Sequence, residues 1–232
     1  MKRLLFALIF TATCVGTAQT KTDLQKHYEA FYKEMRTQGD VNGIISALTH
    51  LNVISPNTAR RDTLAYVYSN NNQHMQALNT IGIEKNDSDS DLAVQIKAVA
   101  LKALGQPKRS IEQFEVLFKR IPNAFLAYEL ADLKIQTGDV TGASINIEFG
   151  ISTVKDDMKH AFYERQQPYE ASLKAAFYHL KALALYNTDK NNIDETITLI
   201  DEALKIDPNF NLASLSKQAL EARRKEAKTV KE

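Results

Sequence analysis

Cysteine is nearly absent from this chain: 232 residues carry one, Cys14, and tryptophan is missing altogether. Beyond residue 14 no disulfide can form and no thiol can act as nucleophile or soft metal ligand, although an oxidising compartment stays open to such a protein. An excess of one charge is missing as well. Lys and Arg number 29 against 28 Asp and Glu, a formal net charge of +1, with both signs mixed along the chain. That argues against the basic stripe on which phosphate binding depends, so no nucleic-acid partner is expected. Glycine (8) and proline (5) are few, and the composition, 44% hydrophobic and 25% charged, is an ordinary globular one. It supplies enough apolar material for a sizeable core.

Catalytic signatures are lacking too. His27, His50, His74, His160 and His179 never fall within four residues of one another, so no metalloprotease pair exists. The segment DSDSD (87–91) has Leu92 and Ala98 where a calcium loop needs glycine and glutamate. It reads instead as a capping turn with Ser90 or Asp91 as N-cap. There is no glycine-rich phosphate loop and no G-x-S-x-G elbow. No catalytic, cofactor-binding or metal residue is assigned. A dyad assembled from distant parts of the chain is the one route to catalysis left open.

Long hydrophobic runs are also missing. The run from Leu4 to Phe10 is too short to span a bilayer. It follows Lys2 and Arg3 and precedes small residues and the polar Gln19-Thr20-Lys21, the plan of a secretory signal peptide. Gly16 and Ala18 place the cut after Ala18, so residues 1–18 are the expected signal peptide and 19–232 a single periplasmic or secreted domain. Thr11-Ala12-Thr13-Cys14 resembles the acylation box of bacterial lipoproteins, with Thr11 where leucine is usual. A lipid on Cys14 would anchor the protein, and only then is a membrane partner expected.

What the chain does contain is a period. Gly39, Asn72, Gly105 and Gly138 follow one another at steps of 33 residues. Ile44, Ala77, Ser110 and Ala143 keep the same step, as do Leu48, Ile81, Phe114 and Ile147. Upstream of each turn stand Tyr32, Ala65, Ala98 and Ala131, preceded by Phe31, Leu64, Lys97 and Leu130. Pro56, Asp89, Pro122 and Lys155 close the units, and a fifth copy ends with Thr196, Ile200, Ala203 and Pro208. Such a period marks a repeat array. Within a unit the apolar residues fall at helical spacing, as Leu24, Tyr28, Phe31, Tyr32 and Met35 do. A glycine then ends the first helix, and a proline closes the second.

The stretches LAYVYSNNNQHMQAL (64–78), VALKALGQPKRSIEQFEVLFKRIPN (99–123) and AFYHLKALALYNTDKNNIDETITLIDEALKIDPN (176–209) resemble the tetratricopeptide repeat. The resemblance covers about residues 24 to 226. It implies an all-α, right-handed superhelical solenoid of antiparallel helix pairs, with units at about 25–57, 58–90, 91–123, 124–156 and 174–210 and a cap helix over 211–228. One interval departs from the pattern: Lys155 to Pro208 spans 53 residues. The excess predicts an extended helical hairpin over about 152–176, with Pro168 in the first turn of its second helix. Met158, Phe162, Tyr163 and Tyr169 would pack on each other there or be offered to a partner, Phe162, Tyr163 and Tyr169 forming a second candidate surface.

Arrays of this kind bind through the groove lined by the first helix of each unit. The register implies Glu29, Lys33, Asp62, Tyr66, Gln95, Val99, Tyr128, Asp132, Tyr178 and Ala182 there, with Lys33, Tyr66, Gln95, Tyr128, Asp132 and Tyr178 as the candidate binding set. The family's Lys–Asn carboxylate clamp is absent, since its positions hold Glu29 and Lys33, then Asp62 and Tyr66. The expectation is a non-catalytic protein-interaction scaffold of the cell envelope that holds a peptide or partner protein. Two alternatives are a lipid-anchored subunit of an outer-membrane assembly complex and an envelope enzyme acting on cell-wall polymer. The mature protein is expected to begin at Gln19, and intact-mass measurement on native material checks this. Retained Met1, or a diacylglyceryl adduct on Cys14, would contradict it.

Overall fold

The computed structural model describes residues 20–229. The segment 1–18, expected as a signal peptide, and Cys14 within it lie outside the described residues. Five helix pairs follow one another: α1 (Lys21–Gln38) with α2 (Val41–Ile54), α3 (Thr58–Asn70) with α4 (His74–Ile81), α5 (Asp91–Ala103) with α6 (Pro107–Arg120), α7 (Ala124–Thr137) with α8 (Val140–Thr153), and α9 (Leu173–Thr188) with α10 (Ile193–Ile206). The chain then continues into α11 (Asn211–Thr229). The principal contacts join each helix to its neighbours in sequence. The array is therefore stabilised unit against unit, as solenoids are.

The turn inside each of the first four pairs is one structure built four times. Gly39, Gly105 and Gly138 have φ of 69°, 68° and 85°, and Asn72, the one non-glycine in the series, has 59°. At each turn two backbone N–H groups reach back to close the preceding helix: Gly39 to Arg36 and Asp40 to Met35, Asn72 to Ser69 and Gln73 to Tyr68, Gly105 to Lys102 and Gln106 to Leu101, Gly138 to Ile135 and Asp139 to Lys134. This paired bonding needs a residue in the left-handed region, which glycine adopts without cost and asparagine tolerates. Seven helix starts carry a side-chain cap. Thr20, Asp40, Asn57, Ser90, Asn123, Asp139 and Ser172 each accept a backbone N–H at the head of a helix.

Between the helices of a pair stand the smallest side chains. Ala65, Ala98 and Ala131 on the first helices, and Ala77, Ser110 and Ala143 on the second, are fully buried. Ser110 also donates to the Ala98 carbonyl at 2.8 Å, so its hydroxyl is satisfied inside the contact.

The second unit departs from its neighbours. Helix α4 has only 8 residues, and no helix forms between Gly82 and Ser90. Lys97, at the position of Leu64 and Leu130, is 1% exposed and occupies the core beneath this loop. Its Nζ donates to Asp89 Oδ2 at 2.5 Å and to the Glu84 carbonyl at 2.7 Å. Arg120 donates to the Asp87 and Asp89 carbonyls and to Asp91 Oδ1, and Arg109 pairs with Glu84. Ser90, the N-cap of α5, also donates to the buried Asp62.

Residues 152–176 do not form the expected helical hairpin. They form an antiparallel β-hairpin, β1 (Lys159–Phe162) with β2 (Tyr169–Ser172). Helix α8 ends where Ser152 and Thr153 turn their hydroxyls onto the Phe149 carbonyl, and Pro168 precedes β2 rather than opening a helix. The physical reason is burial with period two. His160, Phe162, Tyr169 and Ala171 turn inward, while Lys159 and Glu170 turn outward. Two strands of four residues are too short for that alternation to show clearly in sequence.

Replacing Lys97 by Ala should cost about 3–5 kcal/mol, the cost of breaking a buried ion pair from one side. Arg120→Ala, at a more exposed contact, should cost about 1 kcal/mol. Urea denaturation of the two variants checks the ranking, and equal losses would contradict it.

Candidate functional site

The odd-numbered helices carry the face where register places the groove, and the β-hairpin packs on its α7–α9 end. Tyr128 of α7 packs edge-on against His160 (4.4 Å between ring centroids), Phe162 (6.4 Å) and Phe177 (5.7 Å). Phe162 in turn stacks on Tyr169 at 5.6 Å and reaches Phe210, just ahead of α11, at 4.8 Å. Gly150 permits this packing, because a Cβ there would lie 2.0 Å from Phe177 Cζ. The hairpin is tied to the last helices by polar contacts too. The Ser172 N–H donates to Asp207, the Leu212 N–H to the Tyr169 hydroxyl, and Asn211 Nδ2 to Glu164. Burial, then the hydrogen bond to Glu164, pushes the Tyr169 phenol up to about 12.

This cover changes the standing of several candidates. Tyr128 is 5% exposed and belongs to the core, so it is not a groove anchor. Burial, then Asp132 and Glu129, raises its phenol well above the usual range. Tyr178 is half-buried against the same core. Phe162 is buried and Tyr169 half-buried, so of the second candidate surface only Tyr163, 74% exposed, faces solvent. Asp132 is half-buried, takes a hydrogen bond from Gln136 and stands 3.8 Å from Lys102. Burial raises its carboxyl against the pull of Lys102. Lys102 is bound more closely to Glu129, at 2.6 Å, and Glu129 lies 3.6 Å from His160 Nε2. Burial lowers the His160 imidazole, opposed by Glu129.

Farther toward the N-terminus the face is open. Lys33 and Gln95 are exposed, and Tyr66 stands 47% exposed. Beside them Val99 is 40% exposed, and Leu92 and Phe125 are exposed as well. Tyr66 and Val99 are one repeat step apart, as are Leu92 and Phe125. The sequence reading left Leu92 and Phe125 out of the groove, although their 33-residue spacing was the available signal.

Among the described residues no cluster of His, Cys, Asp and Glu could hold a metal ion. Buried His179 and Ser216 approach to 2.9 Å. The Ser216 hydroxyl also lies 3.0 Å from the Leu212 carbonyl, and burial pushes the His179 imidazole down to about 4.

No family model matches the chain, and no curated protein does. Solved structures do. MamA matches with a TM-score of 0.62 at 18% identity, over 81% of this chain and 93% of that one. A tetratricopeptide repeat (TPR) protein from Parabacteroides merdae matches with 0.63 at 13%, over 84% and 72%. YrrB, a TPR protein with an unusual peptide-binding site, matches with 0.63 at 13%, over 82% and 90%. The fold is a TPR solenoid. At these identities the likeness extends to the fold alone. Five helix pairs of that solenoid carry a β-hairpin between the fourth pair and the fifth.

Tyr128→Ala should destabilise the TPR array by about 3–5 kcal/mol, as loss of a buried aromatic does. Tyr66→Ala should stay within about 0.5 kcal/mol of the parent, as surface changes do. Chemical denaturation of both variants distinguishes a core from a surface tyrosine.

Proposed function

We propose that this TPR chain is a non-catalytic interaction scaffold that holds an extended peptide or partner protein on the open half of its odd-helix face. One observation carries the reading. Tyr66 and Val99, and Leu92 and Phe125, expose apolar side chains at equivalent positions of successive units. Exposed apolar groups aligned on one face, with polar Gln95 and Lys33 beside them, fit a partner better than water. The structural likeness to YrrB, a protein with a peptide-binding site, supports the same reading. Its location in the cell envelope rests on the sequence alone, on the cations, apolar run and small residues of positions 2–18.

Capture of a partner by residues 19–232 from an envelope extract, compared with the Tyr66→Ala, Val99→Ser double variant, tests the proposal. Aromatic anchors at the centre of an interface contribute about 2 kcal/mol or more. The variant should therefore bind at least about 30-fold more weakly with unchanged helicity and melting. Equal capture by parent and variant would reject this face.

A further inference from the structure

The hairpin offers a docking edge of its own. Continued one residue beyond the strands, its register sets Met158 opposite Leu173, and the Leu173 N–H donates to the Met158 carbonyl at 2.9 Å. Because hydrogen-bonded and non-bonded pairs alternate along an antiparallel ladder, His160 with Ala171 and Phe162 with Tyr169 are then the bonded pairs. Lys159, Ala161, Glu170 and Ser172 turn their backbone groups away from the partner strand. On the outward edge of β2 the Ser172 N–H is already held by Asp207 Oδ2 at 2.8 Å. The outward edge of β1 is open. Ala161 O receives His160 Nδ1 at 2.8 Å, but the N–H groups of Lys159 and Ala161 have no protein partner among the described residues. Lys159 is exposed and makes no ion pair there, and Tyr163 stands free just beyond it.

We propose that the open edge of β1 takes an extended, acidic peptide segment as a third strand. The partner's main chain would pair with Lys159 and Ala161, and a carboxylate would meet the Lys159 ammonium. This rests on the scaffold reading above and specifies the partner's conformation and charge. Strand addition draws affinity from main-chain hydrogen bonds and selectivity from alternate side chains. The lone lysine decides between occupants. A second copy pairing edge to edge would set two Lys159 ammonium groups on neighbouring strands of one short sheet, whereas an acidic strand sets a carboxylate beside Lys159.

The test uses a valine–glutamate hexapeptide blocked at both ends, with a valine–lysine hexapeptide as control, and amide hydrogen exchange on residues 19–232. Without peptide, the Lys159 and Ala161 amides should exchange at least tenfold faster than those of His160 and Phe162. The acidic peptide should slow Lys159 and Ala161 at least tenfold, and the basic peptide should not. Ala161→Pro removes the outward N–H and leaves the bonds to β2 in place, so it should abolish that protection. Lys159→Glu should reverse the preference between the two peptides, a readout that survives if the proline variant fails to fold. Binding that persists undiminished in folded Ala161→Pro overturns the proposal, as does failure of the acidic peptide to protect either amide. Protection of Ala161 that grows with protein concentration alone also overturns it, in favour of a second copy. Peptide capture that depends on Tyr66 and Val99 but ignores Ala161→Pro would overturn the edge and leave the scaffold reading standing. Edge protection by the peptide, together with partner capture that the double variant leaves undiminished, would do the reverse.

Discussion

Six small side chains set the spacing on which the rest of this molecule depends. Ala65, Ala98 and Ala131 face Ala77, Ser110 and Ala143 inside three successive helix pairs, all fully buried. Side chains of this size let paired backbones approach closely, and close-packed interiors tolerate little change in volume. Once that distance is set, Ile81, Phe114 and Ile147 fill the space behind it in their own units. The left-handed turns at Gly39, Asn72, Gly105 and Gly138 bring each second helix back onto the first. Repetition of one packing geometry is what makes the array a solenoid.

Where the repeat weakens, polar groups take over the work of packing. The second unit has a short α4, and its loop is held by three cations, Lys97 from beneath and Arg109 and Arg120 from α6. A buried lysine is tolerable because its ammonium has both a carboxylate and a carbonyl. The same loop carries Ser90, which caps α5 and bonds Asp62. This polar patch joins the second unit to the third with directional contacts where apolar area is scarce.

The β-hairpin divides the odd-helix face into two parts. Its aromatic side seals Tyr128, Phe177 and Phe210 into the largest core cluster of the chain. Its other side adds an edge strand and an exposed Tyr163 to the surface. Half of a face that repeat register alone would leave open is thus already occupied by the chain itself. The open half, with Tyr66, Val99, Leu92 and Phe125, begins where the hairpin's contacts with Glu129 end.

Local chemistry made the architecture legible in sequence. A residue tolerant of positive φ every 33 positions, small residues at the crossings and apolar residues at helical spacing all report backbone geometry within one unit. The exposed Tyr66 was legible for the same reason, since its place follows from register. Tyr128 was misplaced because register cannot say what lies on top of a helix face. Its burial comes from Phe162 and His160, more than 30 positions away and joined to it only in the folded chain. The hairpin itself was obscured because four-residue strands carry too few alternations to outweigh the helical period on either side. Buried Lys97 was visible as a break in the register but gained its meaning from Asp89 and the Glu84 carbonyl. Sequence by itself determined the repeating unit, because its determinants are neighbours along the chain. Tertiary structure alone decided which parts of the face stay open, because that depends on contacts between segments whose separation in sequence says nothing of their separation in space.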